Sequence, residues 1–276
     1  MTLESLTVTS KDPVGFTVDG RSFEARDLSV KGAYQDREWI ITSSNAKLLG
    51  GSASLTGRFR EGVLRRAKIA IEDFRLSDLQ RLAGHGPAKT SGLVTASFQG
   101  SIAFPKQEWE GSGTMRMTNT PVVDVPLLDQ VYDLFAALLP GVERSGKGEF
   151  NAEFNTHPDY IDVTCFEARG GSSLTVSAVG KIDLSKHQVQ GRARGKLVGL
   201  PGLVTSPLSH LLEMKISGPY DDIRLKPLGP AKLASNTVNG TVGVAVDTLE
   251  ETGKITGTVL KEGIKLPFKW MGKEEK

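Results

Sequence analysis

The residues that could do chemistry are few and scattered along the chain. Gly141-Val-Glu-Arg-Ser-Gly146-Lys147-Gly148 comes closest to a signature, because a glycine-rich loop carrying a lysine can cradle phosphates with its backbone N–H groups. A phosphate loop needs a strand before it, a helix after it, and Ser or Thr behind the lysine to hold magnesium. Here a helical pattern precedes, a strand-like pattern follows, and Gly148 takes the magnesium position, so the stretch reads as a glycine turn leaving a helix. Cys165 would be a nucleophile only with His157 or His210 beside it; between Val163 and Phe166 it reads as a small strand side chain. His85, His157, His187 and His210 stand singly near turns, without metal-ligand spacing. Asp221-Asp222 and Glu250-Glu251 are adjacent pairs, which point to opposite faces of a strand and diverge by about 100° on a helix. Neither pair can share a proton on local grounds, and no G-x-S-x-G or H-E-x-x-H occurs. The expectation is a protein without catalytic residues, metal or cofactor.

The elements that would position side chains are mostly strands. Thirty-one glycines in 276 residues and 7% aromatics suit many short strands joined by tight turns. With 34 basic and 32 acidic residues the net charge is +2, too weak a field to draw nucleic acid. The single cysteine makes no internal disulfide, which leaves the redox compartment open. No apolar run approaches the roughly 18 residues of a membrane span, and residues 1–20 lack the basic and apolar regions of a signal peptide. Either the chain is soluble or its targeting segment lies outside it.

Val14, Phe16 and Val18 alternate up to Asp19-Gly20, a two-residue hairpin signal, after which Phe23 and Ala25 resume the alternation. Separate strands are expected around Leu28 and Val30, Trp39 to Ile41, Lys47 to Leu49, Ser52 to Phe59 and Val63 to Ile71. Ser77-Asp-Leu-Gln80 fits a capping box and predicts a short helix over 77–82. Further strands are expected from Gly92 to Phe104 and Trp109 to Met117. A meander follows over 148–198, with turns at Pro158-Asp159, Gly170-Gly171 and Lys186-His187. Two weak echoes, Ala46–Phe59 with Ala168–Ile182 and Thr95–Pro105 with Glu213–Pro227, favour one long sheet of similar hairpins.

Two stretches read as helices. Leu127, Leu128, Val131, Leu134, Phe135, Leu138 and Leu139 recur at helical spacing between Pro126 and Pro140-Gly141, which predicts an amphipathic helix over about 126–139 laid on the sheet. In the tail, Val238, Val242, Val246, Leu249 and Leu260 share a helical face that five glycines weaken, so this helix would need a surface to form on. Its end, with Phe268, Trp270, Lys265, Lys269 and Lys273, has the composition of a segment that lies on an anionic membrane; a solvated terminus is the competing reading. The expected organisation is therefore a β domain over 1–228 and a tail over 229–276.

Gly111-Ser-Gly-Thr-Met-Arg-Met, then Val125-Pro-Leu-Leu-Asp-Gln-Val131, Gly148-Glu-Phe150, Gly180-Lys-Ile-Asp-Leu184, and a closing strand from Ile216-Ser-Gly218 to Pro227 together resemble the C-terminal region of AsmA-like proteins, relatives of TamB and of bridge-like lipid-transfer proteins. The resemblance covers about 90–230 and, more loosely, 45–85. It implies a mainly β fold, an extended, curved antiparallel sheet forming a groove, with the central helix at about 126–139 and a C-terminal helix. It also implies a non-enzymatic protein of the periplasm or cell envelope that binds or conducts phospholipid acyl chains and supports outer-membrane biogenesis and lipid homeostasis. Inner-membrane association would come through a segment outside this chain or through the tail. The expected lipid-lining residues are Leu174, Val176, Ala178, Ile182 and Leu184, whose alternation makes one strand face apolar, with Leu127, Val131, Leu134 and Leu138 of the helix. Expected partners are phospholipid, a membrane surface and other envelope proteins. A scaffold for envelope assembly and an enzyme of unrecognised type are the rival readings, the latter needing titratable residues that converge in a pocket.

Overall fold

The computed structural model describes residues 3–18, 21–82, 91–106, 108–121, 146–170, 174–197, 212–219 and 222–228. The first half comprises β1 (Leu3–Ser10), β2 (Val14–Val18), β3 (Arg21–Gln35), β4 (Glu38–Leu48), β5 (Gly51–Arg60), β6 (Val63–Arg75), the helix α1 (Leu76–Leu82), β7 (Leu93–Ala103) and β8 (Glu108–Pro121). The second half comprises β9 (Lys147–His157), β10 (Tyr160–Gly170), β11 (Leu174–Asp183), β12 (Gln188–Leu197), β13 (Leu212–Pro219) and β14 (Arg224–Pro227). All 14 strands belong to one antiparallel sheet in the order β1-β3-β4 and onward to β14, with β2 paired to β3. The sheet is open and does not close into a barrel. The expected mainly β, antiparallel class is thus what the chain forms; the expected helices at 126–139 and in the tail lie outside the described residues.

The strands are longer than the alternation in the sequence suggests, because bulges reset its parity. In β6 the apolar residues on the packed face are Leu64, Ala67, Ile69, Ile71 and Phe74, a spacing of three, two, two and three, while the half-buried Val63 and Ala70 fall outside that spacing. The two extra residues coincide with positive φ at Arg66 (50°) and Asp73 (55°) and with register shifts against β7. A bulge leaves one residue unpaired and lets the next apolar side chain return to the same face. Asp27 (φ 52°) does the same within β3, joining the Phe23-Ala25 alternation to that of Leu28 and Val30 in a single strand. Between Ile41 and Asn45 a bulge likewise merges two expected strands into β4.

Directly opposed residues of an antiparallel pair share a face. One such row runs Phe74, Val94, Met117, Phe150, Ala168 and Val176 across β6 to β11. A second runs Ala53, Ile71, Ala96, Met115, Ala152, Phe166, Ala178, Ala193 and Met214 across β5 to β13. A third, nearer the short turns, runs Trp39, Phe59, Leu64, Ile102 and Trp109. One face of the sheet is therefore apolar from end to end. The other carries serine, threonine and cross-strand ion pairs such as Arg58–Glu38 (3.3 Å) and Arg194–Glu213 (3.0 Å).

Glycines on the apolar face seat aromatic rings. A Cβ on Gly113 would lie 2.5 Å from Phe154 Cζ, and one on Gly100 only 2.1 Å from the Glu110 carbonyl oxygen and 2.8 Å from Phe98 Cζ. The ring of Phe98 meets Trp109 edge to face at 4.9 Å between centroids. Phe98 lies across the Gly100–Gly111 pair and Phe154 over Gly113, each filling the volume that glycine leaves.

α1 begins at Leu76, whose N–H donates to the Gly92 carbonyl (3.0 Å) and so ties the helix to the start of β7. The capping-box expectation is corrected here. Ser77 lies inside the first turn rather than at the cap, and Gln80 Oε1 is buried with no hydrogen-bond partner among the described residues instead of reaching back to Ser77.

Candidate functional site

Val176 is fully buried, and Ala178 and Ile182 of the same face of β11 are half-buried. Leu174 opens β11 at a register position opposite Gly170 and Leu197. Leu184 follows the strand, its N–H donating to the Asp159 carbonyl at 2.9 Å. Val176, Ala178 and Ile182 share one side of the strand by parity. Leu127, Val131, Leu134 and Leu138, and the tail residues Lys265, Phe268, Lys269, Trp270 and Lys273, lie outside the described residues.

Burial along the apolar face is uneven. From β6 to β13, Ala67, Phe150, Ala168, Val176 and Met214 are at most 1% exposed. Toward β1 the same face opens: Leu6 is 37% exposed, Val8 46%, Trp39 42% and Phe59 36%. Sequence reasoning named lipid-lining candidates in β11 and in the expected helix at 126–139, and did not single out these four exposed residues. Their apolar character is plain in the sequence, but that they stay open depends on how little packs over β1, β4 and β5. Trp39 also stacks at a tilt on Tyr34 (4.9 Å), and Phe59 meets Phe104, itself 47% exposed, edge to face at 6.3 Å. Among the described residues this is where the chain offers accessible aromatic surface.

The opposite face holds two open depressions. One of about 670 Å³ is lined by Ser54, Thr56, Ser97, Gln99, Ser112 and Thr114, with Ser97 and Thr114 joined by a 2.8 Å hydroxyl hydrogen bond. The other, about 340 Å³, lies around Ser177, Val179, Arg192 and the Arg194–Glu213 pair. A twisted sheet is saddle-shaped, so each face is concave along one diagonal. These hollows need no further cause.

The remaining chemical candidates do not converge. Cys165 sits half-buried at the β10 bulge opposite Glu153, whereas His157 stacks on Tyr160 at 4.3 Å at the far end of the same ladder. Four ladder steps separate the two pairs, about 14 Å. His85 and His210 lie outside the described residues, and His187 is exposed in the β11–β12 turn. Lys147 and Gly148 open β9, so the glycine-lysine stretch leads into a strand and not into the helix a phosphate loop requires. Asp222 pairs with Arg224, and Glu250-Glu251 lie outside the described residues. Among the described residues no group of three or more His, Cys, Asp and Glu gathers as a metal site, and no helix is long and apolar enough to cross a membrane.

Among the described residues, electrostatic shifts fall at a turn, at a bulge and near the β14 margin. Asp183 is held at about 2, chiefly by the Lys186 backbone N–H (2.9 Å) and then by the Ser185 hydroxyl (2.8 Å), both donating to its Oδ1. The Gly180-Lys-Ile-Asp-Leu184 segment thereby has a structural role, since its aspartate closes the turn from β11 to β12. Lys181 lies 3.4 Å above the Tyr160 ring and fixes the neighbouring turn. At the β3 bulge Asp27 is lowered and Lys47 raised, each chiefly by their mutual 2.7 Å hydrogen bond.

What the arrangement can do chemically is therefore to present a long apolar surface, open at one end and packed from β6 to β13, on a framework held by ion pairs and turns. No protein-family model matches the chain, and comparison with curated proteins and with solved structures likewise finds no match.

Proposed function

We propose that the chain is a non-enzymatic envelope protein that binds or conducts phospholipid acyl chains along the apolar face of its sheet, in support of outer-membrane biogenesis and lipid homeostasis. The observation that carries this reading is the unbroken apolar face from β4 to β13, with Leu6, Val8, Trp39 and Phe59 left accessible at one end. An acyl chain gains about 0.8 kcal/mol per methylene removed from water, so an open apolar strip of this kind favours such a ligand over polar ones. The resemblance of residues 90–230 to AsmA-like proteins adds the envelope location, with inner-membrane association through the Lys265–Lys273 tail or a segment outside this chain. A scaffold role in envelope assembly is the second reading. It draws on the face from β9 to β13, where Phe150, Val176 and Met214 are already buried by protein.

Native mass spectrometry of the purified chain tests the first reading. The expected result is phospholipid retained as discrete mass increments, diminished in the Trp39→Ser, Phe59→Ser double variant while its melting temperature stays within a few degrees of the parent. Absence of lipid from every preparation, including protein incubated with phospholipid vesicles, would reject it in favour of the scaffold.

A further inference from the structure

β1 forms one margin of the sheet: among the described residues it pairs with β3 on one side, and its other side carries no partner strand. Natural sheets blunt such margins with short strands, lysine, arginine or proline, because a row of free N–H and C=O groups accepts any passing strand. The opposite margin is blunted in this way. β14 has only four residues, Arg-Leu-Lys-Pro, two of them cationic and one without an N–H. β1 has eight residues, Leu-Glu-Ser-Leu-Thr-Val-Thr-Ser, with neither proline nor a basic residue, and Leu6, Thr7 and Val8 are all exposed.

We infer that β1 is an assembly edge that pairs antiparallel with β1 of a second copy of this chain. The symmetry singles out the register. A two-fold axis normal to the sheet keeps both apolar faces on the same side, and under it each residue must oppose one of its own parity. Centring the axis on Thr7 sets Leu6 opposite Val8 of the second copy and Val8 opposite its Leu6, so the apolar residues cover one another. Thr7 then faces Thr7 on the polar side. The strands overlap over residues 4–10, where the one charge, Glu4, lies opposite Ser10 of the second copy, and the bulge between Leu3 and Leu6 falls at either end of the seam. The seam is about 24 Å long at about 3.4 Å per residue, short enough that association depends on concentration. It goes beyond the lipid reading and does not require it: the edge is made of backbone groups, whatever the face carries.

Sedimentation velocity on the full chain, from about 1 to about 100 μM where small interfaces dissociate, is the test. A monomer–dimer equilibrium is expected. Thr7→Lys alone and Thr7→Glu alone each set like charges directly opposite and weaken the dimer by about two- to fivefold, whereas a mixture of the two variants restores it as a heterodimer. Thr7 is exposed, and unchanged circular dichroism confirms that both variants fold. A monomer throughout the range overturns the inference, as do dimers indifferent to Thr7→Lys or a mixture no better than either variant alone.

Discussion

Gly111 yields its side-chain volume to Phe98: a Cβ at Gly111 would lie 2.9 Å from Phe98 Cζ and 2.2 Å from the Gln99 carbonyl oxygen. The ring could turn aside, but the backbone oxygen cannot. Gly111→Ala is therefore expected to destabilise the sheet by about 1–3 kcal/mol, the usual range for overpacking. Ser112→Ala next to it, on the hydroxyl-lined face, should stay within about 0.5 kcal/mol of the parent. Urea unfolding followed by circular dichroism compares them, and equal midpoints would mean that the glycine is dispensable there.

Phe150 is 1% exposed and sits in the middle of the apolar rows, opposite Met117 and Ala168. Truncation to Ala should cost about 3–5 kcal/mol, through lost transfer energy and the cavity left behind. Trp39→Ala, at a site 42% exposed, should cost appreciably less. Thermal unfolding of the two variants reads the contrast between the packed and the open parts of one face. If both lost the same amount, that contrast would be wrong.

Asp73 holds φ at 55° where β6 bulges, with its N–H donating to Thr95 Oγ1 at 3.3 Å. Aspartate tolerates this conformation better than most residues, and a β-branched one does not. Asp73→Val is expected to lose about 1–2 kcal/mol and Asp73→Gly to be neutral or stabilising. The order of melting temperatures, Gly at or above the parent and Val below, is the measurement.

Asp183 should make stability pH-dependent in the acid range. Its carboxyl is held at about 2 in the folded chain, against an ordinary value of 3.8. A lowered folded pKa contributes stability above the unfolded value and loses it as pH falls from about 4 toward 2. Asp183→Asn keeps an oxygen for the Lys186 N–H while abolishing that dependence. Its melting temperature should thus fall less than the parent's between pH 5 and pH 2. Side-chain carboxyl titration by NMR checks the value directly; a midpoint near 4 would contradict the turn geometry.

Gln80 Oε1, buried in α1 with no hydrogen-bond partner among the described residues, is an acceptor whose lost hydration they do not replace. Gln80→Met, of similar length, should raise stability by about 1 kcal/mol. A melting temperature at or below the parent's would mean that the amide contributes more than its orphaned oxygen costs.

Much of the sheet is legible in the sequence because its rule is local. Val176, Ala178 and Ile182 alternate with Thr175, Ser177 and Lys181, and β11 follows that pattern. Where the alternation cuts strands too short, the cause is also local but silent. Asp27, Arg66 and Asp73 are ordinary residues in the sequence, yet each takes a positive φ and shifts the parity by one, so a continuous strand reads as two. The glycines of Gly111-Ser-Gly113 are visible as a motif. Their use, to seat Phe98 and Phe154, rests on cross-strand register and cannot be read from one strand. The open end of the apolar face is illegible for the same reason: Trp39 and Phe59 look like core residues until the register shows them near the margin of β1.

The order of the strands sets a length as well as a surface. From β1 to β14, without the side branch of β2, there are twelve inter-strand steps, which at about 4.8 Å each give about 58 Å. That is roughly twice the hydrocarbon thickness of a bilayer, about 30 Å. Each step also turns the strand direction by about 20–25°, so a path drawn straight across the strands winds through about 240–300° before it reaches the far margin. Anything that follows the apolar rows from one margin to the other travels along a screw, and enters and leaves facing different directions.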